Sequence, residues 1–458
     1  MRRLIRTLQN IYNIEDLRNR LLIVLGMILI YRLGSYIVLP GVDPNALEEY
    51  ARTAQEGVMG LIDMFSGGAF SRASIFALGI MPYISAAIVV QLLGIAVPYF
   101  QKLQKEGESG RTKLNQITRV LTVGITAVQS VGYLINLQST AGQALLPLTN
   151  PDAMSMTFFM ITNVVILTTG TIFVMFLGEK ITDRGVGNGI SIMIMIGIIA
   201  GLPGALFGEL GSRLAEAGGG LVMFLVEIVA LLLMITAVVA LVQAVRRIPV
   251  QYAKRVVGSK QYGGARQYIP LKVNAAGVMP IIFAQALMFL PSTVVQFFPE
   301  NQRMQEIGAA FTDFTSLGYN IVFFILIILF TYFYTAVTVN PQQISDDLKR
   351  NGGFIPGVKP GKRTSEYIDT IMSRITLPGS IFLATVAIMP AVAATMQVSQ
   401  QFAQFFGGTS LLIMVSVILD TLQQIDSHLI MRRYDGLMSS GRVKGRGAKV
   451  GSVGGGIA

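Results

Sequence analysis

The sequence predicts an all-α integral membrane protein: ten transmembrane helices in two inverted five-helix halves. Composition is the first observation. Of 458 residues, 52% are hydrophobic and only 13% charged, against about 25% charged in an average soluble domain. Mean hydropathy is +0.59, which excludes an ordinary soluble enzyme and a disordered chain. The second observation is that the apolar residues gather in ten blocks, at 21–40, 73–93, 115–137, 153–177, 188–206, 221–244, 273–292, 317–339, 367–390 and 405–427. Each is close to the ~20 residues a span needs. The third is charge placement. Thirty of the 36 Lys/Arg fall in the two tails and in alternate loops (94–119, 178–187, 245–272, 340–366), whereas the opposite loops hold only Arg52, Arg72, Arg213 and Arg303. That bias puts both termini in the cytoplasm.

The elements follow in order. Residues 1–20 place Leu4, Leu8, Ile11, Ile14 and Leu17 on one helical face beside Arg2, Arg3 and Arg6, the pattern of an amphipathic helix on the cytoplasmic surface. The first five spans make an N-terminal half over 21–206. A hinge loop, 207–220, carries the Gly-rich patch Ala217–Gly220 at the seam. Spans six to ten make a C-terminal half over 221–427. Long loops at 41–72, outside, and 245–272, inside, lie five spans apart on opposite faces, which fits an inverted repeat. Residues 428–458 form a cytoplasmic tail whose end, GRVKGRGAKVGSVGGG, is Gly-rich and basic and reads as disordered.

Bond-making chemistry has few places to sit. There is no cysteine and one histidine, His428, at the end of the last span. This excludes disulfides, thiolate metal sites and zinc-protease motifs. No phosphate-binding loop exists, because Gly361-Lys362 is followed by Arg363. No metal, cofactor or enzymatic activity is expected, and any work must be driven by a partner or a gradient. Within the spans, Arg32 and Glu227 are the clearest ionisable groups. Arg32 suits a helix-end carbonyl or a lipid headgroup. Glu227 is expected to snorkel to the outer interface rather than relay protons.

Gly/Ser/Pro-broken apolar stretches stand out more. Residues 58–66 form an apolar piece too short to span, followed by Gly67-Gly68. It reads equally as a re-entrant helix enclosed by protein or as an outside loop. Glycines at 178, 185, 187 and 189 flank a charged turn and permit close helix approach. Val273–Phe283 reads as a Pro-interrupted helix with Asn274 inside it. Such segments offer Ile, Met, Gly and Ser rather than charge, which suits a conduit gated by dewetting. An ion-coupled transporter is the rival, with Glu227 as its only good candidate. The basic loops follow topology rather than one face, which argues against specific DNA binding, but their length suits docking of a cytosolic partner with an anionic surface.

Several motifs then carry a resemblance. They are Arg32-Leu-Gly-Ser35 with Leu39-Pro-Gly41, the Gly60–Ile84 stretch, Lys105-Glu-Gly-Glu-Ser-Gly110, Gly185-Val-Gly-Asn-Gly189, and Arg246-Arg247 with Tyr252-Ala-Lys-Arg255. Leu271-Lys-Val-Asn274, Gly353-Phe-Ile-Pro-Gly357 and Gly407-Gly-Thr-Ser410 complete the series. From about residue 10 to Arg442 the chain resembles the SecY/Sec61-alpha family, the central channel subunits of the Sec protein translocase.

The resemblance implies two halves around an hourglass pore closed by a plug near 58–70, containing Ile62, Asp63, Met64, Phe65, Ser66, Gly67 and Gly68. It implies a constriction ring of Ile80, Ile84, Ile190, Ile194, Ile282 and Ile413. A polar cluster of Ser85, Gln129 and Asn274 would mark a lateral gate through which signal segments reach lipid. Arg246, Arg247, Lys254, Arg255, Phe354, Pro356 and Lys359 would dock the SecA ATPase or the ribosome. At Lys359 many bacterial relatives have Arg, and lysine lacks its bidentate fork. SecE would clamp the halves and SecG would sit alongside. Signal peptides and unfolded preproteins would be the cargo, and the location the bacterial plasma (inner) membrane.

Overall fold

The computed structural model describes residues 14–47, 57–149, 154–215, 220–252, 255–257, 260–262, 266–295, 311 and 313–439. The chain opens with α1 (Glu15–Gly34), followed by the short α2 (Gly57–Ser66), α3 (Met81–Ala96), α4 (Pro98–Lys105), α5 (Glu108–Thr140), α6 (Met156–Arg184), α7 (Gly189–Ala215) and α8 (Gly220–Gln243). Strands β1 (Val245–Tyr252), β2 (Arg255–Val257), β3 (Lys260–Tyr262) and β4 (Arg266–Lys272) come next. Then follow α9 (Met279–Val295), α10 (Leu317–Thr338), α11 (Pro341–Arg350), β5 (Gly353–Phe354), α12 (Lys362–Thr395) and α13 (Gly408–Ser439).

Each of the ten apolar blocks holds a helix. Seven of the described helices are long and apolar enough to cross a membrane, and the bent pair α3–α4, turning through 97°, makes an eighth candidate. Of the other two, α1 is 20 residues long but carries Arg18, Arg20 and Arg32, and α9 has 17 residues. The chain is a multi-pass membrane protein.

Several boundaries differ from expectation. The second block is not helical until Met81. Residues 67–80 are turns, because Gly67, Gly68, Ala73 and Gly79 all have positive φ and Pro82 sits in the first turn of α3, where proline starts a helix readily. Asn274 is likewise not inside a helix. Residues 273–278 are turns with Gly277 at φ 65°, and α9 begins at Met279 beside Pro280. The expected hinge loop 207–220 is helical as far as Ala215. Glu209 and Arg213, four apart on one face, pair across a turn and support that extension; residues 216–219 lie outside the described residues. Residues 15–20 belong to α1 rather than to a separate surface helix, with Glu15 and Asp16 favourably placed in its first turn. The amphipathic pattern over 1–13 lies outside the described residues, as does the tail from 440, whereas α13 carries the chain helically to Ser439.

Outside the spans, an all-α expectation missed a small β-platform. β1 pairs antiparallel with β4 and with β5. Ile248 and Val250 turn inward from β1 onto Leu271, Leu348, Ile355, Ile368 and Met372, the period-two burial of a one-sided sheet.

Helix contacts within the bundle depend on missing side chains. At the α6–α7 crossing, a Cβ on Gly189 would press into the Gly178 carbonyl and sit 2.7 Å from the Ile181 Cβ. Replacing Gly189 with Val should therefore cost at least the about 1–3 kcal/mol typical of overpacking. The check is the temperature at which the detergent-solubilised protein loses its monodisperse elution; an unchanged temperature would contradict this crossing.

Candidate functional site

The six isoleucines implied as a ring come from α7, α9, α13 and the start of α3. They converge in one apolar cluster. Ile80, Ile194 and Ile413 are buried, and Ile84, Ile190 and Ile282 are partly buried against them. Phe65 and Met64 of α2 belong to the same cluster. The isoleucine side chains carry no hydrogen-bonding group, so a closed cluster of this kind excludes water without binding ions.

The short helix α2 is enclosed by protein, which decides between the two readings of 58–66. Ile62, Asp63, Phe65 and Ser66 are buried. Its close seat is set by Gly197 in α7: a Cβ there would lie 2.5 Å from the Phe65 carbonyl oxygen and 3.1 Å from that of Met64. Arg32, as one of its two expected roles, donates from Nη1 to the Gly67 carbonyl at 2.9 Å. Arg72 Nη2 donates to the same carbonyl at 2.8 Å. Two guanidinium groups thus meet the negative end of the α2 dipole. Tyr31 Oη donates to the Ser66 carbonyl at 3.0 Å.

Asp63 organises the turn after the helix. Its Oδ1 accepts from the Ser71 N–H at 2.8 Å, and its carbonyl accepts from Gly68 N–H and Ser66 Oγ. A cavity of about 270 Å³ lies beside this helix, lined by Arg32, Asp63, Arg72, Gly197 and Gln404 among others.

The three polar residues implied at a lateral gate are not joined by hydrogen bonds. Ser85 Oγ donates to the Met81 carbonyl of its own helix at 3.2 Å. Gln129 is half-buried on α5, and the buried Asn274 Oδ1 has no partner. On the β-platform, Arg246, Arg247, Phe354, Pro356 and Lys359 are exposed. Lys254 lies outside the described residues. Arg255 is placed only by its backbone in β2.

Glu227 is a correction. It does not snorkel. It is 3% exposed, and its Oε1 accepts from Arg213 Nη2 at 2.7 Å, because α7 brings a guanidinium against it. The sequence marked Arg213 only as an outside charge; its i,i+4 spacing from Glu209 was the signal available.

Ten apolar helical blocks, an enclosed half-length helix and a central isoleucine cluster define a multi-pass helical membrane protein with a closed apolar centre. The comparisons agree. The SecY family model matches residues 74–422. The protein translocase subunit SecY of Streptomyces scabiei is 44% identical, the alignment covering 93% of this chain and 98% of that protein. That of Thermus thermophilus is 43% identical over 94% and 97%. Among solved structures, one described as a protein-conducting channel matches at a TM-score of 0.62 and 16% identity, covering 92% of this chain and 94% of that one. Sec61 of a canine ribosome–channel complex matches at 0.59 and 15%, covering 92% and 94%. The chain belongs to the SecY family, a family of channel subunits and not of enzymes.

Because Gly197 meets backbone rather than a flexible side chain, Gly197→Ala should unseat α2 and raise the resting ion leak of bilayers severalfold. Tyr31→Phe should do the same more weakly, since one hydrogen bond is worth about 0.5–1.5 kcal/mol. Planar-bilayer conductance of the two variants orders them; equal, wild-type leak in both would contradict a sealing role for the seat of α2.

Proposed function

We propose that this chain is the protein-conducting subunit of a Sec translocase, passing unfolded secretory polypeptides through the isoleucine cluster and releasing hydrophobic segments sideways into lipid. The carrying observation is that six isoleucines from four separate elements belong, with the α2 residues Met64 and Phe65, to one apolar cluster. In this reading Ile80, Ile84, Ile190, Ile194, Ile282 and Ile413 form the seal. Residues Ile62 to Gly68 form the plug, displaced by a translocating chain. Such a seal admits an extended polypeptide because apolar contacts are non-directional and re-form around any side chain.

Ser85, Gln129 and Asn274 mark the lateral gate. The unpartnered Asn274 Oδ1 supports this: a buried polar atom without a partner weakens packing where it sits. The exposed Arg246, Arg247, Phe354, Pro356 and Lys359, with Lys254 and Arg255, dock the driving partner. That partner is the SecA ATPase or the ribosome, whose anionic RNA suits these charges. The ribosome-bound state of the solved Sec61 and Ssh1 chains supports the second. SecE clamps the halves and SecG lies alongside. The positive-inside bias supports cytoplasmic termini, and the bacterial relatives support a bacterial plasma-membrane location.

The absence of cysteine makes a direct test clean. With Ile84→Cys in membranes containing the partner subunits, a precursor bearing one cysteine and stalled midway should form an oxidative crosslink that requires SecA and ATP. No adduct at Ile84, Ile282 or Ile413, with the precursor demonstrably engaged, would overturn the pore assignment. In the same system Ile84→Asn with Ile282→Asn should raise closed-state ion leak; an unchanged leak would show that the cluster is not the seal.

A further inference from the structure

We propose that a small polar cavity between α9, α10, α12 and the start of α13 is a binding site for one water molecule, which bridges these elements by hydrogen bonds behind the isoleucine cluster.

The cavity measures about 30 Å³. A water needs at least about 10–15 Å³ and two to four polar partners, so the space suits a single water and excludes a larger ligand. The polar lining comes from Gln285 on α9, Tyr319 and Asn320 on α10, and Gln404 and Thr409 at the start of α13. Gln285, Tyr319, Gln404 and Thr409 are buried, at 5%, 4%, 5% and 3% exposure. From α12 come only Ala387, Pro390 and Ala391.

Thr409 carries the argument. Among the five polar lining residues, only Thr409 has a buried atom, its Oγ1, that meets no hydrogen-bonding group of the described protein. Leaving a buried hydroxyl unpaired is costly, and hydrocarbon around the bundle offers it no partner. The neighbouring groups are committed elsewhere. Ser410 Oγ donates to the Gln404 carbonyl. Asn320 Nδ2 donates to the Phe314 and Ser316 carbonyls at 2.8 Å each, which leaves its oxygen to accept. A side-chain hydrogen bond joins Gln285 to Tyr319. A water, both donor and acceptor, can pair with the Thr409 hydroxyl and with these amides at once.

The backbone explains why a hydroxyl lies here. Gly408 has φ 64°, and a Cβ on Gly407 would press into the Val386 carbonyl of α12. The two glycines let the start of α13 lie directly on α12 and carry Thr409 into the interior. Thr409 also falls in the first turn of α13, where backbone N–H groups lack helical acceptors and favour a polar neighbour.

Water has a way in. Gln404 lines both this cavity and the larger one beside α2, so the two share that side chain as a wall. The bridge is also close to the isoleucines. Gln285 lies three residues after Ile282 on α9, and Thr409 lies four residues before Ile413 on α13. One water thus holds together, from a turn away, two helices that supply the cluster.

The site belongs to the fold, so its test needs no translocation and does not depend on the channel reading. In a cryo-electron microscopy map of the full-length protein that shows other buried waters, density should stand within hydrogen-bonding distance of Thr409 Oγ1. No density there would overturn the proposal. X-ray radiolytic labelling, which marks side chains beside bound water, should modify the buried Tyr319 in the wild type and in Thr409→Ser, and severalfold less in Thr409→Val. Equal labelling in the valine variant would overturn it too. Thermal unfolding of the detergent-solubilised protein supplies a sign. With the hydroxyl dry, valine would remove an orphaned polar group and raise the unfolding temperature. With the water bound, valine deprives it of a partner and lowers that temperature, while serine does not. An unchanged or raised temperature for Thr409→Val would count against the water. If the valine variant does not accumulate, the wild-type map decides.

Discussion

Backbone at membrane depth must be hydrogen-bonded by protein, since hydrocarbon offers no partner. This constraint governs the non-helical stretch from Gly67 to Ile80. The Leu39 N–H donates to the Ala73 carbonyl and the Ile75 N–H to the Ile37 carbonyl, so the segment after α1 and the segment after α2 satisfy each other. Tyr133 Oη donates to the Phe70 carbonyl, and Arg32 and Arg72 share the Gly67 carbonyl. With those bonds made, a half-length helix can rest inside the bundle. Without them α2 would have to leave for water.

The same constraint explains the glycines. Where α2 and its following turn enter the bundle, neighbouring backbones must come close enough to leave no gap. Gly197 lets α7 lie against the Phe65 and Met64 carbonyls, and Gly170 lets α6 lie against Ile75. At Gly178 and Gly189 the two long helices themselves touch. Small residues at crossings are the usual means of close packing in membranes, where lipid competes with every apolar side chain for contact.

Two kinds of cohesion are thus separated in space. Around α2 the isoleucines hold by shape and by exclusion of water. At the end of α7 charge-assisted bonds hold by direction. The first kind tolerates a guest of any sequence and the second tolerates little displacement.

Hydrophobic block length and the alternation of Lys/Arg are local and additive along the chain. For that reason the ten-block organisation, the multi-pass class and the unusual character of Gly60–Ile84 were legible from sequence alone. The six clustered isoleucines could be singled out only by resemblance, because an isoleucine facing lipid and one facing the centre of a bundle have the same local pattern. The strands of the β-platform were hidden by a short, basic stretch whose alternation, Ile248 and Val250, spans only a few residues. What the tertiary structure decided is which distant residues share a site. The fate of Glu227 depended on whether Arg213, fourteen positions away across the seam, arrived beside it. The burial of Ile62, Asp63, Phe65 and Ser66 depended on a glycine far along the chain in α7. Such pairings arise from the packing of whole helices, and no local periodicity encodes them.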